Sequence, residues 1–286
     1  FRLSGNYAVL VYPEGNPDSL LLTACFSITE NLVALGCEIT TRTDVDYNKA
    51  HQQLSFKVMY PRYEIRNPRE ELKVSITTNV GYDDGVTVSQ PLYVRNQELE
   101  YAHTPRLVFP AGNEYRRFET VSRHYNTIGV ESMRYFDPYY HAILKTDYPR
   151  ASGAYVYDET QNGHFYIRTD DSEEADTEAD YFVVHFMLAT GALVEGEVYI
   201  DGEFTHGRLD ETTRMTYNPE TRAYEKDMLL KQGAYNYRYL LQRPGAKADA
   251  APIEGNFYET RNEYQIRVYH RPQGARYDRL IGYTRC

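Results

Sequence analysis

The chain of 286 residues has no tryptophan, only three cysteines, and no apolar run able to span a bilayer as a helix. Without tryptophan, any aromatic face must be built from the 29 tyrosines and 11 phenylalanines. The richest apolar window, Tyr181 to Val194, is broken by His185, Thr190 and Gly191, short of the roughly 18 apolar residues a helical span requires. Basic residues are in deficit, 31 against 41 acidic ones for a net charge of -10. That balance argues against a surface built to neutralise phosphates or anionic lipid, so neither nucleic-acid binding nor direct membrane insertion is expected. The cysteines, Cys25, Cys37 and Cys286, match no zinc or redox spacing. Cys25 and Cys37 lie in apolar, strand-like runs and read as small buried hydrophobes, with a Cys25 to Cys37 bridge as the alternative in an oxidising compartment.

Catalytic and cofactor signatures are missing too. There is no nucleophile elbow, no P-loop and no GxGxxG between a strand and a helix. The eight histidines show neither HExxH nor HxH spacing. His185, sharing a face with Tyr181, Val183 and Met187, reads as a hydrogen-bonded half-core histidine. His141 follows Asp137-Pro138-Tyr139-Tyr140 and is a candidate general acid or base, but no nucleophile or second carboxylate is singled out beside it. No enzyme, cofactor or metal site is expected.

What the chain does contain is strand after short strand. Candidates are Gly5 to Tyr12, Ser19 to Ile28, Leu32 to Thr41, Gln53 to Tyr60, Leu72 to Asn79 and Pro91 to Arg95. Arg116 to His124, Val130 to Phe136, Tyr139 to Lys145, Ala154 to Tyr157, His164 to Arg168 and Tyr181 to Leu188 follow, with Glu263 to His270 late in the chain. Breakers such as Pro13 to Asp18, Gly81 to Gly85 and Pro110 to Asn113 divide them. Asp201-Gly202, Asn218 to Thr221 and Gly233 read as turns within Gly196 to Leu241. Tyr235, Tyr237 and Tyr239 then recur at period two, with Asn236, Arg238 and Leu240 opposite. No helical periodicity lasts three turns, so the fold class is all-β, with tandem immunoglobulin-like β-sandwich domains.

Asp170 to Asp180 holds seven acidic residues in eleven and none that is basic or aromatic. Like charges at this density resist packing, so the run reads as a solvated linker and a domain boundary. Calcium is the alternative for so many carboxylates, but the spacing lacks the glycine and terminal glutamate of a helical calcium loop. Residues 1–28 then read as the closing strands of an N-terminal sandwich, 29–172 as a middle sandwich and 173–286 as a C-terminal one. The opening, FRLSGNYAVLVY, starts inside a strand pattern without an initiator methionine, so the natural protein is expected to extend further toward the amino terminus, any export signal having been removed. Near the other end, five arginines lie between Arg267 and Arg285 against Asp278 alone. This local basic patch either pairs with acids of its own fold or docks an acidic partner.

The Gly196 to Leu241 stretch resembles early-set, immunoglobulin-like modules that bind glycogen or starch, through Gly202-Glu203-Phe204 and the late tyrosine strand. His206-Gly207 stands where those modules carry a sugar-stacking tryptophan. A longer resemblance is to the plug proteins of the bacterial type IX secretion system. It rests on Leu3 to Tyr7, Phe109 to Glu114, Asp137 to His141, Asp176 to Tyr181, Arg214 to Tyr224 and Gly274 to Gly282, in that order. The resemblance implies a non-enzymatic, periplasmic protein, associated with the outer membrane, that closes the periplasmic mouth of the translocon barrel. It implies no catalytic residue. Within this reading Arg271, Arg276, Tyr277 and Arg279 are the candidate partner contacts, and a carbohydrate-binding protein is the alternative.

Overall fold

The computed structural model describes residues 1–286 except 82–84 and 193, so the centre of the Gly81 to Gly85 breaker lies outside the described residues. The chain opens with an antiparallel ribbon of β1 (Gly5–Val11) and β2 (Leu22–Ile28). Next come β3 (Ala34–Thr40), β4 (His51–Met59), β5 (Leu72–Thr78), β6 (Val86–Val88), β7 (Tyr93–Arg95), β8 (Glu98–Tyr101) and β9 (Val108–Pro110). The central stretch holds β10 (Arg116–Glu119), β11 (Val130–Phe136), β12 (Tyr139–Leu144), β13 (Phe165–Ile167) and β14 (Tyr181–Leu188). It continues with β15 (Glu197–Asp201), β16 (Thr216–Asn218), β17 (Ala223–Lys231) and β18 (Gly233–Gln242), and the chain closes with β19 (Tyr264–His270) and β20 (Arg279–Arg285).

These strands build two sandwiches, each around its own apolar core. In the first, the sheet β20-β19-β5-β6 faces β3-β4-β8-β7, with β9 added to β4. Period-two residues meet between them: Leu54, Phe56 and Val58 from one sheet, Val74, Ile76, Ile266 and Val268 from the other. In the second, β10, β13 and β15 all pair with β18, and this layer faces the five-stranded sheet β11-β12-β14-β17-β16. Tyr235, Tyr237 and Tyr239 point into that core beside Phe118, Phe186 and Leu188. The Phe118 and Tyr235 rings stack at 5.1 Å, and Phe118 and Phe186 meet edge to face at 5.4 Å.

The sheets divide the chain differently from the boundaries expected at 28/29 and 172/173. β19 pairs with β5 along its whole length, so the last strands return to the first sandwich and the second is an insertion between β9 and β19. The acidic run does not separate domains. It joins β13 to β14, which lie in the two layers of one sandwich, and its first acids are engaged: Asp171 accepts from Ser122, the Arg123 amide and Gln232, and Asp170 from Arg168 and Tyr125.

Several turns also differ. Asn218 to Thr221 does close a hairpin, with Asn218 opposite Ala223. Asp201-Gly202 does not, because β15 pairs with β18 and the chain runs instead into a single 3-10 turn, Glu203–Thr205. Gln232-Gly233 is a crossover between layers, since β17 and β18 belong to opposite sheets. Ala154 to Tyr157 is not a strand, and the C-terminal basic segment contains one, β20.

Cys37 is bonded to Cys286, tying the edge strand β3 to the end of the chain, while Cys25 is free and exposed. The reading of Cys25 as buried therefore fails: it belongs to a two-stranded ribbon with no second layer over it. Between β10 and β11, Gly129 has a φ of 75°, and a Cβ there would lie 2.7 Å from the Arg117 carbonyl oxygen. Gly129→Ala is expected to lower stability by about 1–3 kcal/mol through that left-handed backbone and the clash, read as a shift of the urea midpoint.

Candidate functional site

The basic loop proposed as a partner contact is the connection between β19 and β20. Arg271 pairs with Asp278 inside the loop at 2.7 Å. Arg279 grips Glu30 through both carboxylate oxygens and reaches the Tyr63 hydroxyl at 3.3 Å. Glu30 also accepts from Ser4 at 2.7 Å, so this cluster anchors the base of the β1–β2 ribbon to the first sandwich. Arg279, followed by Ser4, holds the Glu30 carboxyl below the ordinary range. The Tyr63 hydroxyl lies 2.7 Å from His270 Nδ1, whose other nitrogen lies 3.3 Å from Glu71. Burial works to raise the Glu71 carboxyl, but the Asn67 amide and His270 outweigh it and hold it low. Arg276 is exposed and Tyr277 half-buried. The loop thus brings the four candidates together, with Arg271 and Arg279 paired to carboxylates of the same chain and Arg276 presented to solvent.

The structure adds a constellation that sequence reading missed. At the end of the second sandwich nearest the first, Glu254 is 2% exposed. It accepts two bonds from Arg116 at 3.0 Å, one from Arg150 at 2.8 Å and one from the Tyr239 amide at 3.0 Å. Asp147 accepts from Arg116, Tyr237 and Tyr239, each at 2.7 Å. Burial would raise the Glu254 carboxyl; Arg116 and Arg150 reverse this and hold it below the ordinary carboxylate range. Burial, followed by Asp147, pushes the Tyr237 phenol well up, and burial does the same for Tyr239. Each carboxylate faces a cation and hydroxyl or amide donors, so the group is a buried brace with no acid or base left over for chemistry. Its members are separated by up to 138 positions, and no local pattern marks them.

The brace supports the two chain crossings between the sandwiches. On the outgoing crossing, the Gly112 amide donates to Asn256 Oδ1 at 2.9 Å and the Asn113 side chain to the Glu254 carbonyl at 2.8 Å. On the return, Asn262 donates to the Ala111 carbonyl at 2.7 Å, and Gln52 to the Thr260 carbonyl at 2.7 Å. Asn79 closes the web on Asn262 at 2.8 Å and receives the Glu263 amide at 2.8 Å. Amide side chains suit this task because each both donates and accepts. A cleft of about 720 Å³ opens beside the web, lined among others by Phe109, Tyr115, Asn256, Leu209 and Arg238. Arg238 is paired to Asp201 at 2.7 Å, and its guanidinium covers the Tyr115 ring at 5.3 Å. That occupies one face of the aromatic ring a sugar would need for stacking.

Two surfaces expose apolar side chains. The β1–β2 ribbon and its turn expose Val9, Leu10, Val11, Tyr12, Leu21 and Leu22, all at least 44% accessible. The outer face of the β11–β12–β14–β17 sheet carries Phe136, Tyr139, Tyr181 and Leu229, with His141 and His185 among them. His185 indeed shares a face with Tyr181, Val183 and Met187, but that face is the outward one; Phe182, Val184, Phe186 and Leu188 fill the core. Among the described residues no helix is long and apolar enough to cross a membrane.

Nested sandwiches with a hydrogen-bonded junction place the chain in the all-β sandwich class. No protein-family model and no curated protein matches it. Its structure is similar to the 2.30 Å crystal structure of a hypothetical protein from Parabacteroides merdae ATCC 43184, with a TM-score of 0.95 and 47% sequence identity. The match covers 100% of this chain and 72% of that one. The chain belongs to the same family as that hypothetical protein.

Proposed function

We propose that this chain is a non-enzymatic component of the type IX protein secretion system, a plug that closes the periplasmic mouth of the outer-membrane translocon barrel. The six ordered sequence segments suggest the family. The observation that carries the reading in physical terms is the junction: both chain crossings are held in one amide web over a buried ionic brace. A body that must block an opening gains from such a web, because hinge motion between the sandwiches would have to break several partly buried hydrogen bonds at once. The Cys37–Cys286 disulfide supports an oxidising compartment such as the periplasm.

Affinity-tagged chain recovered from the native envelope is expected to bring down a large outer-membrane barrel protein. Arg276→Glu should reduce that recovery without loss of stability, since Arg276 is exposed. Arg279→Glu should instead loosen the ribbon, because it would set a carboxylate against Glu30. Recovery of no barrel, together with retarded migration in gels containing starch or glycogen, would favour the carbohydrate-binding alternative.

A further inference from the structure

We propose that His141 and His185, oriented by Asp227, form a binding site for a divalent transition-metal ion on the outer face of the second sandwich. His141 lies on β12 and His185 on β14, adjacent parallel strands, in rows one side-chain step apart on the same face. His141 Nδ1 and His185 Nε2 are 2.9 Å apart. On its other side, His185 Nδ1 lies 2.7 Å from Asp227 Oδ1, on the antiparallel neighbour β17. The carboxylate fixes Nδ1 as the protonated nitrogen of His185, so its Nε2 presents a lone pair toward His141. A carboxylate behind a ligating histidine is the usual support of a metal-bound imidazole. The Phe136 ring meets His141 edge-on at 5.1 Å and limits its swing.

The remaining histidines offer no comparable pair among the described residues. His51, His103, His164 and His270 each face a single carboxylate, His124 lies 3.7 Å from Asp171, and His206 is exposed at the end of the 3-10 turn. His141 and His185 are the two imidazoles whose ring nitrogens meet. In the metal-free pair, His141 donates its Nδ1 proton to His185 Nε2. Ion binding requires the other tautomer of His141: the proton leaves Nδ1 and is taken up at Nε2 through solvent, with no net release.

Ion binding calls for a local adjustment of both rings. A tetrahedral ion at about 2.0–2.1 Å from each nitrogen separates them by roughly 3.3 Å, so the pair must open by about 0.4 Å. The rings, now at an interplanar angle of 22°, must also turn until both lone pairs converge on the ion. Flanking charges are of both signs, Arg134 opposite His141 on β11 and Asp227 opposite His185. No third histidine, cysteine or carboxylate is in position among the described residues, so water completes the coordination. Affinity should follow the order of divalent ions for imidazole, copper above zinc.

Calorimetric titration of the full chain with Zn2+ alone is the test, with Cu2+ electron paramagnetic resonance as the second readout. One ion per chain is expected to bind. His141→Ala and His185→Ala should each abolish the Zn2+ heat and reduce the Cu2+ nitrogen couplings from two to one. Asp227→Asn should weaken binding about 10–100-fold. His103→Ala should change nothing, and circular dichroism should show all four variants folded, as these side chains project from the outer sheet face or a loop. Zn2+ affinity unchanged in both His→Ala variants, or a wild-type Kd weaker than about 1 mM, would overturn the assignment.

Discussion

Glu254→Ala is expected to destabilise the protein by about 3–5 kcal/mol, because it removes one partner of a buried ionic group and leaves Arg116 charged and largely out of water. Arg116 is 8% exposed at its side chain and would keep only Asp147 as a counter-charge; Arg150 would lose its carboxylate altogether. The Tyr239 amide, buried beside them, would lose its acceptor. Arg116→Ala should cost a similar amount, since it removes the cation paired with Asp147 and leaves Glu254 with Arg150 alone. The linkage has a definite sign. The Glu254 carboxyl is depressed in the folded state, so its contribution is present above the ordinary carboxylate range and is lost as pH falls through the folded value. The stability gap between wild type and Glu254→Gln, measured by urea unfolding, should therefore be widest near neutral pH and narrow in acid. A gap that stays constant from pH 7 to about pH 3 would remove the carboxylate from the account.

The second large effect belongs to the disulfide. Cys37 and Cys286 are 249 residues apart, so the bond encloses nearly the whole chain. Loop-closure entropy for a ring of that length gives an upper bound of about 5.5 kcal/mol for its contribution. Cys286→Ser should lower stability toward that figure and free β20, the edge strand that covers Val33 and Leu35 through Gly282. In the native protein one thiol, Cys25, should react with Ellman's reagent, and three should react after reduction and unfolding. If reduction leaves the urea midpoint unmoved, the closure argument fails. The experiment also bears on location, since a bond that contributes this much is of use only where it stays oxidised.

Strand identity was legible locally. Short runs rich in apolar, β-branched and aromatic residues, bounded by turn-formers, located β1, β5, β11, β12, β14 and β19 to within a residue or two at each end. Each of these runs is six to eight residues long, and its composition depends on nothing beyond the run itself. The shared face of Tyr235, Tyr237 and Tyr239 was legible from their period-two spacing, and that face is buried. The short strands β6, β8 and β9 were not, at three or four residues too brief for a period to show. The histidine pair escaped as well, because its members are 44 positions apart and meet only where β12 and β14 run side by side.

By itself, then, the order of residues determined an all-β chain, the phase of most of its strands, an acidic surface and a core rich in tyrosine, since each follows from composition or from neighbours within a few positions. Only the tertiary structure decided that β19 and β20 return to the first sandwich, that Cys286 rather than Cys25 takes Cys37, and that Arg116, Asp147, Arg150 and Glu254 share one buried brace. Strand pairing is a long-range choice. Any strand with an apolar face can cover any sheet, and the partner is selected by the packing of the whole core and by closure of the loops between, quantities no short segment carries.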